Sequence, residues 1–236
     1  MDTTIDFETQ RVSDIALQHP SAVAVFNKYN IDFCCGGKLS LKEACEKSGI
    51  AVDTLLNELF RTDATRMPGT IRFDTWDISL LTDFIVQHHH QYVKRSIPQL
   101  NELLTKVCNV HGDRHAYLFT LKQTFNDLAD ELLHHMHKEE FILFPEVKRI
   151  FSENTKPVFN VHAPIAVMED EHELAGNLIK TIRQLTNNYT PPADACPTFK
   201  VTYKRLQEFD QDLMQHIHLE NNVLFEKVKT RTATIF

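Results

Sequence analysis

The stretch His135-Met136-His137-Lys138-Glu139-Glu140-Phe141-Ile142-Leu143-Phe144 returns, with a few changes, as His216-Ile217-His218-Leu219-Glu220-Asn221-Asn222-Val223-Leu224-Phe225. Both copies fit the pattern H-x-H-x-E-x-x-(I/V)-L-F. In an α-helix, a histidine and a glutamate four positions apart lie one above the other on the same face. The repeat therefore predicts two helices, each of which presents an imidazole and a carboxylate on one face.

The sequence around this repeat predicts long helices. Segments rich in glycine, proline and asparagine separate four stretches of helical composition, 75–108, 114–151, 162–187 and 198–229. In the third stretch, apolar residues at helical spacing predict a buried face through Val167, Leu174, Leu178 and Leu185. The alternation typical of strands is not sustained. Four such helices with short connections predict an antiparallel four-helix bundle.

The N-terminal region predicts several shorter helices. Ser40 and Glu43 form a capping box that begins one helix, Gly49 is a suitable C-cap, and Asp53 is suited to cap the next helix. The chain is therefore predicted to be all-α. We expect a small helical domain at 1–66, a linker at 67–74 that includes the break Met67–Thr70, and the bundle at 75–232.

Composition excludes several classes of protein. The 236 residues carry 25 Lys and Arg against 32 Asp and Glu, a net charge of −7, which gives no electrostatic footprint for nucleic acid. No apolar run is long enough to cross a membrane, and the acidic, polar first residues do not resemble a signal peptide. Five cysteines, an odd number, fit a reducing compartment. We therefore expect a cytoplasmic protein.

The repeated His and Glu residues predict a metal centre in the bundle, because carboxylates are costly in a core unless they are paired or bind metal. The other two long helices offer further ligands: His88, His89 and His90 in the first, and Glu169, Asp170, Glu171 and His172 in the third. A dinuclear site rich in histidine favours iron with open positions for small diatomic ligands. The alternative is a metal-free helical interaction module with solvated His–Glu pairs.

These motifs resemble a known family. The segments 132–145, 167–176 and 212–225 resemble a hemerythrin-like domain, and Tyr29-Asn30-Ile31-Asp32-Phe33-Cys34-Cys35-Gly36-Gly37 precedes them. Together they resemble the RIC (repair of iron centres) family, the di-iron proteins also called the YtfE, ScdA or DnrN type. The resemblance extends from about Val12 to Phe225.

The resemblance implies a ligand set for two iron ions: His90, His135, Glu139, His172, His216 and Glu220. Glu139 and Glu220 would bridge the irons, with an oxo bridge in the oxidised state, and the histidines would be terminal. His89 stays open as the ligand of the first helix instead of His90. A fifth histidine, His137 or His218, is not required by the family pattern. Glu131 and Glu171 are candidates to orient the ligands from outside.

The vicinal thiols Cys34 and Cys35 are the second predicted site. Backbone amides freed by Gly36 and Gly37 are suited to stabilise a thiolate. The simpler alternative is a pair of small buried residues in a tight turn. With the resemblance, we expect a redox-active pair, or one that faces a partner protein.

The resemblance implies that the protein repairs iron–sulfur clusters damaged by nitrosative or oxidative stress, by donating iron. Damaged iron–sulfur proteins would be its partners, and nitric oxide or oxygen its small ligands. The resemblance also implies a homodimer that forms through residues 1–62. Two other functions stay open: reduction of nitric oxide at the di-iron site, and an oxygen- or nitric-oxide-binding sensor.

Overall fold

The computed structural model of the protein describes residues 7–63 and 71–234. Within these ranges the backbone is helical apart from loops and one isolated bridge between Arg11 and Ser40. The predicted all-α fold is confirmed. The predicted break at Met67–Thr70 lies outside the described residues. No helix in the described ranges has both the length and the apolarity needed to cross a bilayer.

The chain divides into two compact units. The smaller unit comprises Met1–Asp77 together with Ile217–Lys227, and the larger one comprises Ile78–His216 together with Val228–Phe236. The second segment of the smaller unit comes from the last long helical run of the chain. The repeat copy at 216–225 therefore contributes side chains to the interior of the smaller unit as well.

Residues 7–63 of the smaller unit form four short α-helices: α1 (Val12–Gln18), α2 (Ala22–Lys28), α3 (Leu41–Ser48) and α4 (Val52–Asp63). The predicted capping box is confirmed, because the Ser40 hydroxyl accepts from the Glu43 backbone N–H and the Glu43 carboxylate accepts from that of Ser40. Gly49 ends α3 with a φ of 69°, as a C-cap glycine should. The prediction for Asp53 is wrong, since α4 begins at Val52 and Asp53 lies inside its first turn.

The remaining chain forms long helical runs that match the four predicted stretches to within a few residues. Their α-helices are α5 (Ile78–Phe84), α6 (Gln91–His111), α7 (Tyr117–Lys138), α8 (Phe144–Glu153), α9 (His162–Leu185), α10 (Pro197–Leu219) and α11 (Phe225–Ala233). In the larger unit, α7 packs against both α6 and α9. Short connections make these sequential helices antiparallel neighbours, which is the arrangement of a helical bundle.

Three turns of π-helix interrupt these runs, at Ile85–His90, Glu139–Leu143 and Glu220–Leu224. The sequence pattern does not predict these π-turns. A π-turn adds one residue to the helical turn and so rotates everything after it, and such turns concentrate at functional sites. Here, each π-turn contains a predicted metal ligand: His90, Glu139 or Glu220.

The buried face of α9 differs from the predicted one. Val167 and Leu174 are 48% and 46% exposed. The buried residues instead alternate in steps of three and four, as Ile165, Met168, His172, Ala175, Ile179 and Ile182. The predicted set used seven- and four-residue steps, which select a neighbouring stripe of the same helix. The correct stripe includes His172, so that α9 points this imidazole into the core.

Candidate metal centre

Glu139 is the central carboxylate of the larger unit, and its side chain is fully buried. Its Oε1 lies 3.3 Å from Nε2 of His135, one turn earlier on the same helical run. Its Oε2 lies 3.4 Å from Nε2 of His90, which comes from the first long run. One carboxylate therefore turns its two oxygens towards imidazoles on two different helices.

Each of these histidines is paired with another one. Nε2 of His135 lies 2.9 Å from Nε2 of His172, and Nε2 of His90 lies 3.1 Å from Nε2 of His216. All four imidazoles are at most 3% exposed. The larger unit thus holds two imidazole pairs, with Glu139 facing both of them.

Glu220 begins its π-turn one helical turn after His216 and is also fully buried. Within the larger unit, ligand atoms of two sets of buried residues lie within 4.8 Å of one another: His90, Glu139 and His216 in the first set, and His135, Glu139 and His172 in the second. Each set offers two imidazoles, and the carboxylate of Glu139 is common to both. The larger unit thus brings together five of the six residues of the predicted ligand set.

The outer nitrogens of two of the imidazoles contact carboxylates. Nδ1 of His135 lies 2.8 Å from Oε2 of Glu171, a predicted orienting residue. Nδ1 of His90 lies 2.8 Å from Oε1 of Glu140, which the sequence analysis missed. Its position next to Glu139 was the available signal. The other predicted orienting residue, Glu131, is exposed on α7.

Lysines keep these outer carboxylates ionised. Burial opposes ionisation of Glu140, but hydrogen bonds from Lys94 and His90 outweigh it and lower the pKa of Glu140. Burial likewise opposes ionisation of Glu171, and hydrogen bonds from Lys138 and His135 lower its pKa. An ionised carboxylate at Nδ1 holds the proton there, so that Nε2 presents its lone pair inward.

The neighbouring histidines have other contacts. Nδ1 of His89 lies 3.0 Å from Oδ1 of Asp212, so the structure places His90, not His89, against Glu139. His137 is exposed, and its ring contacts that of Phe141. His218 is buried in the smaller unit, where its Nδ1–H donates to the Phe33 carbonyl at 3.1 Å. Burial lowers the pKa of His218 to about 4, although this hydrogen bond partly opposes the shift.

The vicinal cysteines lie in a loop that Asp32 organises. Its Oδ1 accepts from the backbone N–H groups of Cys35 and Gly36, both at 3.0 Å, and from the Cys34 thiol at 3.2 Å. Asp32 therefore takes the Gly36 amide, one of the two amides predicted to stabilise a thiolate. The hydrogen bond with Cys35 and burial raise the pKa of the Cys34 thiol well above its usual range.

Close packing explains why glycines follow the cysteines. A Cβ on Gly37 would lie 2.6 Å from the Phe33 carbonyl oxygen, and one on Gly36 would lie 3.0 Å from that of Asp32. Asn222 also approaches this loop and donates from Nδ2 to the Cys34 carbonyl at 3.0 Å. His218 and Asn222, both in the second repeat copy, thus fix the backbone that carries the two thiols, whose sulfurs lie 3.8 Å apart.

Comparison with known proteins agrees with this architecture. A family model described as the Hemerythrin HHE cation binding domain matches residues 82–228, and the ScdA_N model, described as a domain of unknown function, matches residues 8–63. "Iron-sulfur cluster repair protein YtfE" of Enterobacter sp. (strain 638) is 38% identical over 221 residues, or 94% of this chain and 97% of the relative. The protein of the same name from Citrobacter koseri is 37% identical over 223 residues, or 94% and 98%. This chain belongs to the family of YtfE iron–sulfur cluster repair proteins and contains its hemerythrin HHE domain.

Proposed function

We propose that this protein repairs iron–sulfur clusters damaged by nitrosative or oxidative stress, and that it does so by donating iron to the damaged protein. The observation that carries the proposal is the position of Glu139 between the imidazoles of His90 and His135. The name of the relatives, iron–sulfur cluster repair protein, supports the choice of reaction.

For the metal centre, we propose two iron ions with Glu139 and Glu220 as bridges and four terminal imidazoles, His90, His135, His172 and His216. The donor set fits, because imidazole and carboxylate are suitable ligands for iron. The outer contacts of His90 and His135 also fit, since metal-ligating histidines usually donate their other N–H to a carboxylate. In the oxidised state an oxo bridge would complete the centre.

This ligand set suits a protein that gives iron away. Imidazoles and carboxylates hold ferrous iron less firmly than the thiolates and sulfides of a cluster do. Iron is then the cargo, and transfer to a damaged cluster is favourable. In the protein, His90 and His135 position the cargo, while Glu140 and Glu171 hold the protons of the outer ring nitrogens.

For the cysteines, we propose contact with the client protein at its damaged cluster. Cys35 is partly exposed, whereas Cys34 is buried and hydrogen-bonded to Asp32. A thiol at the surface is able to reach a cluster ligand sphere, and its neighbour is protected from reagents in bulk solution. The two adjacent thiols also allow a redox role.

The decisive experiment measures recovery of an enzyme whose cluster has been inactivated by nitric oxide. The iron-loaded protein should restore more activity than an equal dose of free ferrous iron, and His135→Ala should not. Equal recovery with free iron would refute donation. Release of nitrous oxide over many turnovers, without recovery of the client enzyme, would instead favour a nitric oxide reductase. Reversible oxygen binding by the reduced protein would favour a sensor.

We further propose a cytoplasmic location and a homodimer. The five cysteines, an odd number with none of them in a disulfide, support a reducing compartment. The homodimer follows from the family resemblance alone, and sedimentation of the purified protein over a range of concentrations tests it.

A further inference from the structure

A second group of possible metal ligands lies beside the centre described above. Ligand atoms of His88, His89 and Asp212 lie within 4.8 Å of one another. The two histidines belong to the first π-turn, and Asp212 lies on α10. Nδ1 of His89 and Oδ1 of Asp212 are 3.0 Å apart. All three residues belong to the larger unit, and none of them is in the proposed di-iron ligand set.

Two atoms of this group are buried with no hydrogen bond. Among the residues that the structure describes, Nε2 of His89 and Oδ2 of Asp212 have no hydrogen-bond partner. His89 as a whole is only 2% exposed. Leaving a buried nitrogen and a buried carboxylate oxygen without partners is unfavourable, because both lose their hydrogen bonds to water. A bound cation would satisfy the carboxylate and take up an imidazole lone pair.

The imidazole rings are held in place before any ion binds. The ring of His88 stacks on that of Phe84 with centroids 4.9 Å apart, and the ring of His89 meets Phe84 edge-on at 5.5 Å. The centroids of the His88 and His89 rings lie 4.8 Å apart, and the two ring planes are almost perpendicular, at 87°. Because Phe84 fixes both rings, binding would order few further side chains.

The position of this group links the di-iron centre to solvent. The ring of His89 lies parallel to that of His216, with centroids 5.4 Å apart and an interplanar angle of 5°. Asp212 precedes His216 by one helical turn. His88, by contrast, is exposed. The group therefore extends from solvent to the back of a proposed iron ligand.

We propose that His88, His89 and Asp212 form a separate binding site for one divalent first-row metal ion, with ferrous iron as its natural occupant. Two imidazoles, one carboxylate and open positions for water are a ligand set that suits ferrous iron. With three protein ligands and an exposed member, this site binds more weakly than the buried centre. The proposal does not rest on the repair function.

Equilibrium dialysis of the iron-loaded protein against Co²⁺, without oxygen, tests this proposal. Cobalt follows iron in the order of divalent affinities, so a ferrous site holds Co²⁺ at least as well. Elemental analysis of both metals should show one Co²⁺ per chain in addition to the two irons of the di-iron centre. His88→Ala and Asp212→Asn should each weaken Co²⁺ binding by about 10-fold or more.

The matched control is His134→Ala, which removes an exposed histidine of α7. Nδ1 of His134 contacts the backbone carbonyl of Asp130 on its own helix. This variant should bind Co²⁺ as the unaltered protein does. Absence of the extra Co²⁺, or unchanged binding in both His88→Ala and Asp212→Asn, would overturn the proposal. Loss of iron from His88→Ala would also overturn it, because the group would then belong to the di-iron centre. Failure of the repair assay would leave it intact.

Discussion

The Nε2 atoms of His90 and His216 face each other at 3.1 Å in a buried interior, and those of His135 and His172 do so at 2.9 Å. Two neutral imidazoles at this distance share one proton, and the outer nitrogen of His90 is already occupied by Glu140. A metal ion accepts both lone pairs at once. These pairs and the carboxylate of Glu139 between them are the basis of the first two predictions.

Replacement of a paired imidazole should empty the centre. We expect the protein purified without oxygen to contain about two irons per chain, one for each of the two ligand sets. His135→Ala should lose most of this iron, because its Nε2 faces both His172 and Glu139. Elemental analysis measures the iron content of both proteins. The exposed neighbour His134→Ala is the control, and full iron content in His135→Ala would show that the ligand set is wrong.

Removal of an outer carboxylate should weaken iron binding without abolishing it. Glu140→Gln leaves the ring of His90 without the charged acceptor at Nδ1 that orients it. We expect affinity for ferrous iron to fall by about 10- to 100-fold, as measured by competition with a chromophoric chelator. Glu131→Gln, an exposed carboxylate on α7, should bind as the unaltered protein does. Equal affinities for the two variants would contradict the orienting role of Glu140.

The two adjacent thiols should react at different rates. Cys34 is buried and its thiol pKa is raised, whereas Cys35 is partly exposed. Because only the thiolate is alkylated, iodoacetamide at neutral pH should modify Cys35 well before Cys34. Mass spectrometry of Cys34→Ser and Cys35→Ser, each with one thiol of the pair, separates the two rates. Faster modification of Cys34 than of Cys35 would contradict the burial of Cys34 in this loop. Asn222→Ala removes the hydrogen bond to the Cys34 carbonyl and should narrow the difference between the two alkylation rates.

Glu146 should make stability depend on pH in the acid range. Its carboxylate accepts from Arg149 and from the backbone N–H of Val158, and these hydrogen bonds lower its pKa, the one from Arg149 most. A lowered carboxyl pKa in the folded state means stability that is present above the pKa of the unfolded chain. That stability is lost as pH falls through the folded value.

The test for Glu146 is denaturant unfolding of Glu146→Gln. At pH 7 the variant should be less stable by about 1.5–3 kcal/mol, the usual contribution of a hydrogen bond to a charged group. The difference should shrink as pH falls below the ordinary glutamate pKa of about 4.3 and through the lowered pKa of the folded state. Glu173→Gln, an exposed carboxylate, is the control and should change stability by less than about 0.5 kcal/mol. A difference that does not vary with pH would contradict the role of ionised Glu146.

The carboxylates that contact the outer ring nitrogens of the histidines could not be assigned from the sequence alone. Glu171 could be suspected because it adjoins His172, but it contacts His135 on another helix. Asp212 precedes His216 by one turn, yet it pairs with His89. Neither pairing is visible in the sequence, because spacing along a helix says nothing about which residue of a second helix lies opposite.

The sequence by itself determined the helices, the capping box at Ser40, and the faces that carry His135 with Glu139 and His216 with Glu220. These follow from local rules, since a helix repeats every 3.6 residues wherever it occurs. Only the tertiary structure decided that His90, and not His89, meets Glu139. A π-turn rotates the following residues by about 100°, and packing between helices, not local propensity, decides whether one forms.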